Sequence, residues 1–267
     1  MKKVICLLII GDKYLNEFEL RKEHFEAYAK KTDAQLKIIT TPPDPTFHRS
    51  LLVQKLLIPK LVIDYDLCLY LDLDVIINNA APSVFNELPI DKAFGAVLDP
   101  RGSTEFLNTW KIKNETVEMY FSVRNFPYNS NLIGSINGGV ILFRPKKVAA
   151  LFEEYYFSSH NLKYKEMGSY EEGPMAYISQ SNQMFFPINA KYNTQLIFKI
   201  RGTDEGREVL KKSKKRWRIS SKGASKIRTT KVYNEYVNKI LEECWILHFA
   251  GGFPMPGDVR NFKYFDK

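Results

Sequence analysis

Short apolar runs alternate with segments of helical periodicity over the first 145 residues of the chain. Runs rich in Leu, Ile and Val are typical of buried strands. We predict such strands at residues 4–10, 34–40, 67–71, 94–98 and 140–143. Helices are predicted at residues 15–31 and 51–63, and Pro145 lies in the tolerated first turn of another helix, which ends near Phe157. Strands that alternate with helices predict an α/β fold with crossover helices on a central sheet.

The remainder of the chain has a weaker pattern. Residues 171–179 are predicted to be helical, residues 184–187 extended, and residues 245–249 a last short strand. Residues 103–130 are polar and aromatic without a clear period, which indicates irregular structure or short helices over a site. A chain of 267 residues, 45% of them hydrophobic, can build one sizeable core. We therefore predict a single domain over residues 1–267.

The apolar runs and the cysteines indicate where the protein acts. No apolar run approaches the roughly 20 residues that span a bilayer, and residues 4–10 are too short for a signal peptide. Cys6, Cys68 and Cys244 lie far apart among apolar neighbours, which predicts buried, reduced thiols. We expect a cytoplasmic protein, with peripheral association at a membrane as a second possibility.

Basic residues are concentrated in one segment. The formal charge of the chain is +9, and residues 207–231 contain eleven Lys and Arg residues against a single acidic one, Glu208. A local basic stretch points to an anionic partner at one place on the surface. That partner can be a diphosphate, an acidic glycan, a phospholipid or a nucleic acid.

Two carboxylates, Asp72 and Asp74, follow the predicted strand at residues 67–71. In open α/β sheets, ligands collect beyond the carboxyl ends of strands. Carboxylates two positions apart in extended backbone project to the same side, so both can reach one cation. Among apolar neighbours the two charges are costly unless they are paired or bind a metal. The pattern predicts a divalent metal site, and its alternative is a strand-end pair that caps a turn.

His248 is a second candidate metal ligand. It lies in an apolar segment that ends in Gly251 and Gly252, and glycines allow a backbone to come close to a ligand. Two carboxylates and an imidazole suit manganese and leave positions open for phosphate oxygens. A histidine in such surroundings can equally be a hydrogen-bonded core residue, since the sequence alone does not place it near Asp72.

Residues 65–75, YDLCLYLDLDV, resemble the motif of glycosyltransferase family 8, and four other segments agree with that family in order. The first is Lys55, which lies seventeen residues before Asp72. The others are residues 137–140 (NGGV), residues 187–193 (PINAKYN) and residues 248–251 (HFAG). The resemblance spans most of the chain. It implies a GT-A fold with a mixed central sheet flanked by helices, a nucleotide-sugar donor that is commonly UDP-linked, Mn²⁺ or Mg²⁺, and transfer with retention of anomeric configuration.

The resemblance also implies roles for individual residues. The implied metal ligands are Asp72, Asp74 and His248. The implied contacts to the donor, in addition to Asp72, are Gly11 and Tyr14 at the base, and Lys55, Leu73, Asn137, Gly138 and Gly251. Asp99 would hydrogen-bond the sugar hydroxyls, with Arg101 as a helper. The structural alternatives are a snorkelling lysine at position 55, a turn residue at Asn137 and a cap before Pro100 at Asp99.

Two segments depart from the family pattern. Where the family has Asp-Gln after a glycine, this chain has Glu171-Glu172, and we expect one of these carboxylates near the sugar. A carboxylate there can stabilise or attack an oxocarbenium-like centre, contact the acceptor, or simply carry charge at a helix N-terminus. The family's lysine after the His-x-x-Gly motif is also missing. The basic stretch at residues 211–228 could replace that lysine as a loop that closes over the donor, or could be a solvated surface segment.

The function that we expect is metal-dependent transfer of a hexose to a hydroxyl acceptor on a glycan, protein or lipid-linked molecule. Residues 1–145 would form the nucleotide-sugar-binding half and residues 146–267 the acceptor side. A nucleotidyltransferase is an alternative, but Gly11-Asp12-Lys13 is not the Gly-rich phosphate loop of such enzymes. A nucleic-acid-binding protein built on residues 207–231 would leave the Asp pair and His248 unexplained.

Overall fold

The computed structural model describes residues 1–99, 116–158, 171–213 and 229–255. Within these residues nine α-helices and nine strands follow one another along the chain, with short 3-10 helices between some of them. The helices are α1 (Asp12–Glu19), α2 (Lys22–Lys31), α3 (Ile58–Leu61), α4 (Val117–Ser122), α5 (Pro145–Phe157), α6 (Glu172–Ser181), α7 (Leu196–Gly202), α8 (Asp204–Ser213) and α9 (Lys231–Glu243). The strands are β1 (Lys3–Leu8), β2 (Gln35–Ile39), β3 (Leu67–Leu71), β4 (Val75–Ile77), β5 (Phe94–Leu98), β6 (Ile136–Phe143), β7 (Phe185–Pro187), β8 (Thr194–Gln195) and β9 (Ile246–His248).

A mixed six-stranded sheet forms the centre of the fold. Its strand order is β2-β1-β3-β6-β5-β7. Strand β1 is parallel to β2 and β3, and β6 is antiparallel to both β3 and β5. A second sheet of three strands has the order β4-β9-β8. The predicted α/β class with a mixed central sheet flanked by helices is confirmed.

Hydrophobic side chains cover both faces of the central sheet. Alternate residues of β1 and β3 belong to two different clusters, since Cys6 and Tyr70 pack on one face and Ile5 and Leu69 on the other. Successive side chains of a strand point to opposite faces, so a strand covered on both sides becomes continuously apolar. The first cluster is completed by α5 and the second by α1 and α2. A third cluster joins α7, α9 and β9 under the smaller sheet.

Three predicted elements are correct to the residue, namely β3, β5 and α5, but two predicted helices are not continuous. The helix predicted at residues 15–31 is two helices, because Arg21 leaves helical geometry with φ −125° and ψ 2°. The helix predicted at residues 51–63 is a 3-10 helix, Val53–Leu57, followed by α3. Pro59 lies in the first turn of α3, where its missing N–H and its ring are tolerated, whereas they would break a longer helix.

In the described parts of the range 196–243, three helices are present that the sequence analysis did not predict, namely α7, α8 and α9. Lys211 and Lys212 lie on α8 and not in a loop, which corrects that part of the predicted mobile segment. Residues 214–228 of the basic stretch lie outside the described residues. The three cysteines are buried and free, as predicted. Among the helices described here, none is both long and apolar enough to cross a membrane.

His24 joins α2 to the smaller sheet. Its Nε2 accepts a hydrogen bond from the backbone N–H of Ile77 at 2.7 Å. Burial, together with the nearby charge of Arg21, lowers the pKa of His24 to about 3. The folded chain therefore keeps this ring neutral, whereas the unfolded chain protonates it below a pH of about 6.5. The free energy of unfolding must fall as the pH drops from about 6.5 towards 3.

We expect His24→Gln to weaken this pH dependence, because the glutamine oxygen accepts the same hydrogen bond without titrating. Between pH 7 and pH 5 the unmodified chain should lose about 1 kcal/mol more stability than the variant, a value reduced for partial solvent screening. Urea denaturation at the two pH values measures the difference. His48→Gln is the matched control, and an equal loss in the unmodified chain and in His24→Gln would contradict the role of His24.

Candidate active site

The two aspartates lie in a tight turn between the two sheets. Strand β3 ends at Leu71, β4 begins at Val75, and residues 72–74 form the connection. The backbone N–H of Asp72 donates to the carbonyl of Gly139 at 2.9 Å, and the carbonyl of Asp74 accepts from the N–H of Phe249 at 2.9 Å. The segment is a turn and not the extended strand end that we expected. Its backbone is nevertheless fixed by strands on both sides.

His248 comes from the opposite end of the chain to the same place. Strand β9 pairs with β4, and His248 lies opposite Val75 in the register. The ligand atoms of Asp72, Asp74 and His248 all lie within 4.8 Å of one another. The Nε2 atom of His248 is 3.3 Å from an Asp74 oxygen. Burial would lower the pKa of His248, but the Asp74 carboxylate outweighs that effect and raises it.

The other nitrogen of His248 fixes the chemistry of the ring. Its Nδ1 lies 3.0 Å from the side-chain oxygens of Asn137 and Asn193. The oxygen of Asn137 also accepts from the backbone N–H of Gly139 at 3.0 Å, so the orientation of that amide is determined. A nitrogen that faces two acceptors carries a proton, so Nε2, which faces the Asp74 carboxylate, is the nitrogen that can exchange its proton for a cation. Two carboxylates and a correctly oriented imidazole therefore fit a divalent cation.

Lys55 is the buried counter-ion of the site. Its ammonium lies 2.8 Å from a carboxylate oxygen of Asp72 and 2.7 Å from one of Glu171, and only 6% of its side chain is exposed. Burial would lower the pKa of Lys55, but the carboxylates of Asp72 and Glu171 together raise it well above its ordinary value. The phenolic hydroxyl of Tyr70 also donates to Asp72 at 2.7 Å. Lys55 is thus not a snorkelling surface lysine.

Glu172 is held by the strand that carries the Asn-Gly-Gly sequence. One of its carboxylate oxygens accepts from the backbone N–H of Gly138 at 3.0 Å and from the amide of Asn137 at 3.2 Å. Glu171 lies beside it, buried against Lys55. Burial raises the pKa of Glu171, and the Lys55 ammonium opposes that shift. The two adjacent glutamates therefore have different surroundings, one on a lysine and the other on amide donors.

The glycines of β6 leave room for these side chains. A Cβ atom at Gly139 would lie 2.2 Å from the imidazole carbon of His248, and one at Gly138 would lie 2.6 Å from an oxygen of Glu171. Both distances are far below van der Waals contact, so any larger residue must displace the His248 imidazole or the Glu171 carboxylate. The two glycines are required by close approach, since neither has a positive φ.

Asp99 is connected to the same cluster through Gln195. The amide nitrogen of Gln195 donates to a carboxylate oxygen of Asp99 at 3.1 Å, and its oxygen accepts from the amide of Asn137 at 3.2 Å. Asp99, Asn137 and Gln195 are all buried. Asp99 therefore belongs to a hydrogen-bonded network and does not act only as a cap before Pro100, which was the structural alternative. Arg101, the predicted helper, lies outside the described residues.

A cavity of about 340 Å³ opens beside the aspartates. Tyr14, Leu73, Lys55 and the two aspartates line it together with apolar residues. The apolar residues are Leu8, Ile10, Leu51 and Leu52. The lining thus combines apolar side chains with the ammonium of Lys55 and the carboxylates of Glu17 and the two aspartates, which suits a ligand with both an apolar and a charged portion.

Two predicted glycines have local structural roles as well. Gly11, at φ +94°, precedes α1, and its carbonyl accepts from the N–H groups of Tyr14 and Leu15. Gly251, at φ +83°, packs so closely on Ile197 that a Cβ would lie 2.6 Å from its side chain. Both positions favour glycine for the backbone geometry alone.

Three residues of the site were not predicted as site residues. Asn193 is the last residue of the segment 187–193 that resembles the family, Gln195 lies two positions beyond it, and both reach the Asn137 amide. Asn193 ends a 3-10 helix, Ala190–Asn193, whereas Gln195 lies on β8, so no single periodicity in the sequence relates the two. Tyr70, which hydrogen-bonds Asp72, lies two positions before it on β3 and could have been found from that spacing.

A family model described as glycosyl transferase family 8 matches residues 1–253 of the chain. The chain belongs to glycosyl transferase family 8. It is therefore a glycosyltransferase, and family membership favours this activity over the nucleotidyltransferase and nucleic-acid-binding alternatives. Membership also implies a nucleotide-sugar donor and a glycan acceptor. No curated protein sequence matches the chain.

Solved structures of glycosyltransferases have the same GT-A fold. Galactosyltransferase LgtC, in complex with donor and acceptor sugar analogues, aligns with a TM-score of 0.55 and 15% identity over 93% of this chain and 87% of its own. A glycosyltransferase involved in glycosylation of the major capsid of PBCV-1 aligns with a TM-score of 0.52 and 12% identity over 94% of both chains. GlyE of Streptococcus pneumoniae TIGR4 aligns with a TM-score of 0.52 and 13% identity, over 94% of this chain and 56% of its own.

Gly139→Ala tests whether the close approach of β6 to the imidazole matters for cation binding. The added methyl group must displace His248, so we expect the affinity for Mn²⁺ to fall by at least about 10-fold, as when an outer partner of a ligand is lost. Calorimetric titration with MnCl₂ measures the change. Gly173→Ala is the matched control, because a Cβ there meets its neighbours at ordinary distances of 3.5 Å or more. Equal affinities in the two variants would contradict the expectation.

Proposed function

We propose that this family 8 enzyme transfers a hexose from a UDP-linked donor to a hydroxyl acceptor, with Mn²⁺ held by Asp72, Asp74 and His248. The observation that supports it most is the convergence of these three side chains within 4.8 Å from distant parts of the chain. The single domain over residues 1–267, with residues 1–145 on the donor side and residues 146–267 on the acceptor side, is part of the proposal. Mg²⁺ is the alternative ion.

The cavity supports placement of the nucleotide beside the aspartates. Tyr14, 48% exposed, offers a ring at its rim, and Leu73 lies between the two carboxylates on its wall. We propose that the base lies against Tyr14 and Gly11, with the diphosphate directed to residues 72–74. The metal would neutralise the charge that develops on the departing diphosphate. Gly251 follows β9 and would border the diphosphate.

Lys55 and Asn137 position the groups around the sugar. Lys55 joins the Asp72 carboxylate to that of Glu171, so it sets the distance between the metal end and the sugar end of the site. Asn137 and Gly138 direct the Glu172 carboxylate through two N–H donors. We propose that Asp99 hydrogen-bonds the sugar hydroxyls and that Lys55, Asn137 and Gly138 contact the donor.

Glu172 is the carboxylate that we propose to face the anomeric carbon, with Glu171 as its buried neighbour. A carboxylate at that place stabilises the positive charge that develops on the sugar ring as the glycosidic bond to phosphate breaks. We propose that transfer proceeds with retention of configuration, as in the family. One solved variant of LgtC carries glutamate in place of an active-site glutamine, which supports a carboxylate being accommodated in such a site.

Asp74→Asn tests the metal role. Replacing one carboxylate oxygen by an amide removes a charged ligand, and we expect metal-dependent UDP binding to weaken by about 100-fold or more, since even outer partners of ligands are worth about 10- to 100-fold. Calorimetry with UDP in the presence of Mn²⁺, and again in EDTA, measures the effect. The control is Asp91→Asn, because the Asp91 side chain is 70% exposed. Unchanged Mn²⁺-dependent affinity in Asp74→Asn would refute the assignment.

Glu172→Gln separates chemistry from binding. The glutamine oxygen can still accept from the N–H of Gly138, so the local geometry is kept while the negative charge is lost. We expect the turnover number to fall by about 100-fold or more, a magnitude typical for loss of a positioned catalytic group, with UDP-sugar affinity within about 3-fold of the original. Release of UDP under single-turnover conditions measures the rate. Glu118→Gln, at an exposed position on α4, is the control, and equal rates would exclude Glu172 from the chemistry.

A further inference from the structure

Gln195 lies between His248, its neighbour in the smaller sheet, and the Asp99 carboxylate. It lies on β8, pairs with His248 in the register of the smaller sheet and is 7% exposed. Its amide makes two hydrogen bonds, one to Asp99 at 3.1 Å and one from Asn137 at 3.2 Å. Gln195 is neither a metal ligand nor a donor contact in the proposed function, yet its side chain connects Asp99, which follows β5, to Asn137 on β6.

The directions of the two hydrogen bonds of Gln195 are determined by its neighbours. The oxygen of Asn137 accepts from the backbone N–H of Gly139, so its nitrogen must face Gln195 and Glu172. Gln195 therefore presents its oxygen to Asn137 and its nitrogen to Asp99. A carboxylate can only accept, so this orientation satisfies all the partners at once. A buried network in which every member is satisfied has one arrangement, which is the condition for holding a group precisely.

We propose that Gln195 is a positioning residue that holds the Asp99 carboxylate in fixed relation to Asn137 and His248, and so determines which sugar hydroxyls the site selects. This inference rests on the proposed function, in which Asp99 contacts the donor hexose. Epimeric hexoses differ only in the direction of one hydroxyl. A carboxylate that is fixed by a directional hydrogen bond discriminates between such directions, whereas one that can rotate does not.

The side chain must be a glutamine for reasons of length and polarity. Glutamate at this position would place an acceptor against the Asp99 carboxylate, and the two would repel each other. Methionine has a similar length but can neither donate to Asp99 nor accept properly from Asn137. The two substitutions Gln195→Glu and Gln195→Met therefore remove the same link by different means.

The experiment compares UDP with UDP-glucose and UDP-galactose, because UDP lacks the sugar. Dissociation constants are measured by calorimetry in Mn²⁺ for the unmodified chain and both variants. We expect the unmodified chain to prefer one hexose by at least 10-fold, and each variant to bind UDP within about 3-fold of the unmodified value. In both variants the preferred UDP-hexose should bind about 10-fold more weakly. The ratio of the dissociation constants for the two epimers should fall towards one.

A purely structural role for Gln195 would lower stability without changing the preference. The matched control is Asn78→Leu, which also removes a buried amide, one that donates to the carbonyls of Leu241 and Cys244 away from the cavity. Melting temperatures identify any variant that fails to fold, and the other variant then decides. Retained epimer preference in a folded variant, equal loss of UDP and UDP-hexose affinity, or absence of any preference in the unmodified chain would overturn the inference. If the unmodified chain binds neither UDP nor UDP-hexose, the proposed function itself is wrong.

Discussion

The site depends on the compensation of buried negative charge. Asp72 and Glu171 share the ammonium of Lys55, and Asp74 faces the imidazole of His248. The Glu171 side chain is only 5% exposed, and an isolated carboxylate at that depth would cost several kcal/mol, so the Lys55 ammonium is a condition for the fold as well as for the chemistry. A divalent ion at the aspartates would add positive charge where Asp72 already has a partner. Lys55 can then pair with Glu171 alone, which favours the charged form of that carboxylate.

Close backbone approach is the second constraint, and it explains why β6 carries two glycines at the point where the sheets meet. The imidazole of His248 lies against Gly139, while the Glu171 carboxylate lies against Gly138. Strand β6 thus passes close to both His248 and Glu171 with no side chain of its own at these two positions. Asn137, the preceding residue, uses its amide to join both ends. The Asn-Gly-Gly sequence therefore has two roles in the site. Its glycines leave space for His248 and Glu171, and its asparagine supplies hydrogen bonds to the surrounding side chains.

Much of the fold and part of the site could be predicted from the sequence, because the signals were local. The buried strands are continuously apolar, and the helix after Pro145 has a clear start, so their limits were predicted closely. The break at Arg21 depends on packing and has no local marker such as proline or glycine. The pairing of β9 with β4 joins residues far apart in sequence, so the proximity of His248 to Asp74 could be expected only through the family resemblance. Gln195 was missed because its role is defined entirely by partners on other strands.

The network around Asn137 shows how the two ends of the site are coupled without a shared ligand. Its oxygen accepts hydrogen bonds from the Gly139 backbone N–H, the Asn193 amide and the His248 imidazole, while its nitrogen donates to Glu172 and Gln195. Rotation of this amide would place a donor against His248 and an acceptor against Glu172, so the arrangement is self-consistent in one orientation only. The placement of the proton on Nδ1 of His248 and the direction of the Glu172 carboxylate are consequently set by the same amide. A substitution that reorients the Asn137 amide must therefore change the position of both His248 and Glu172.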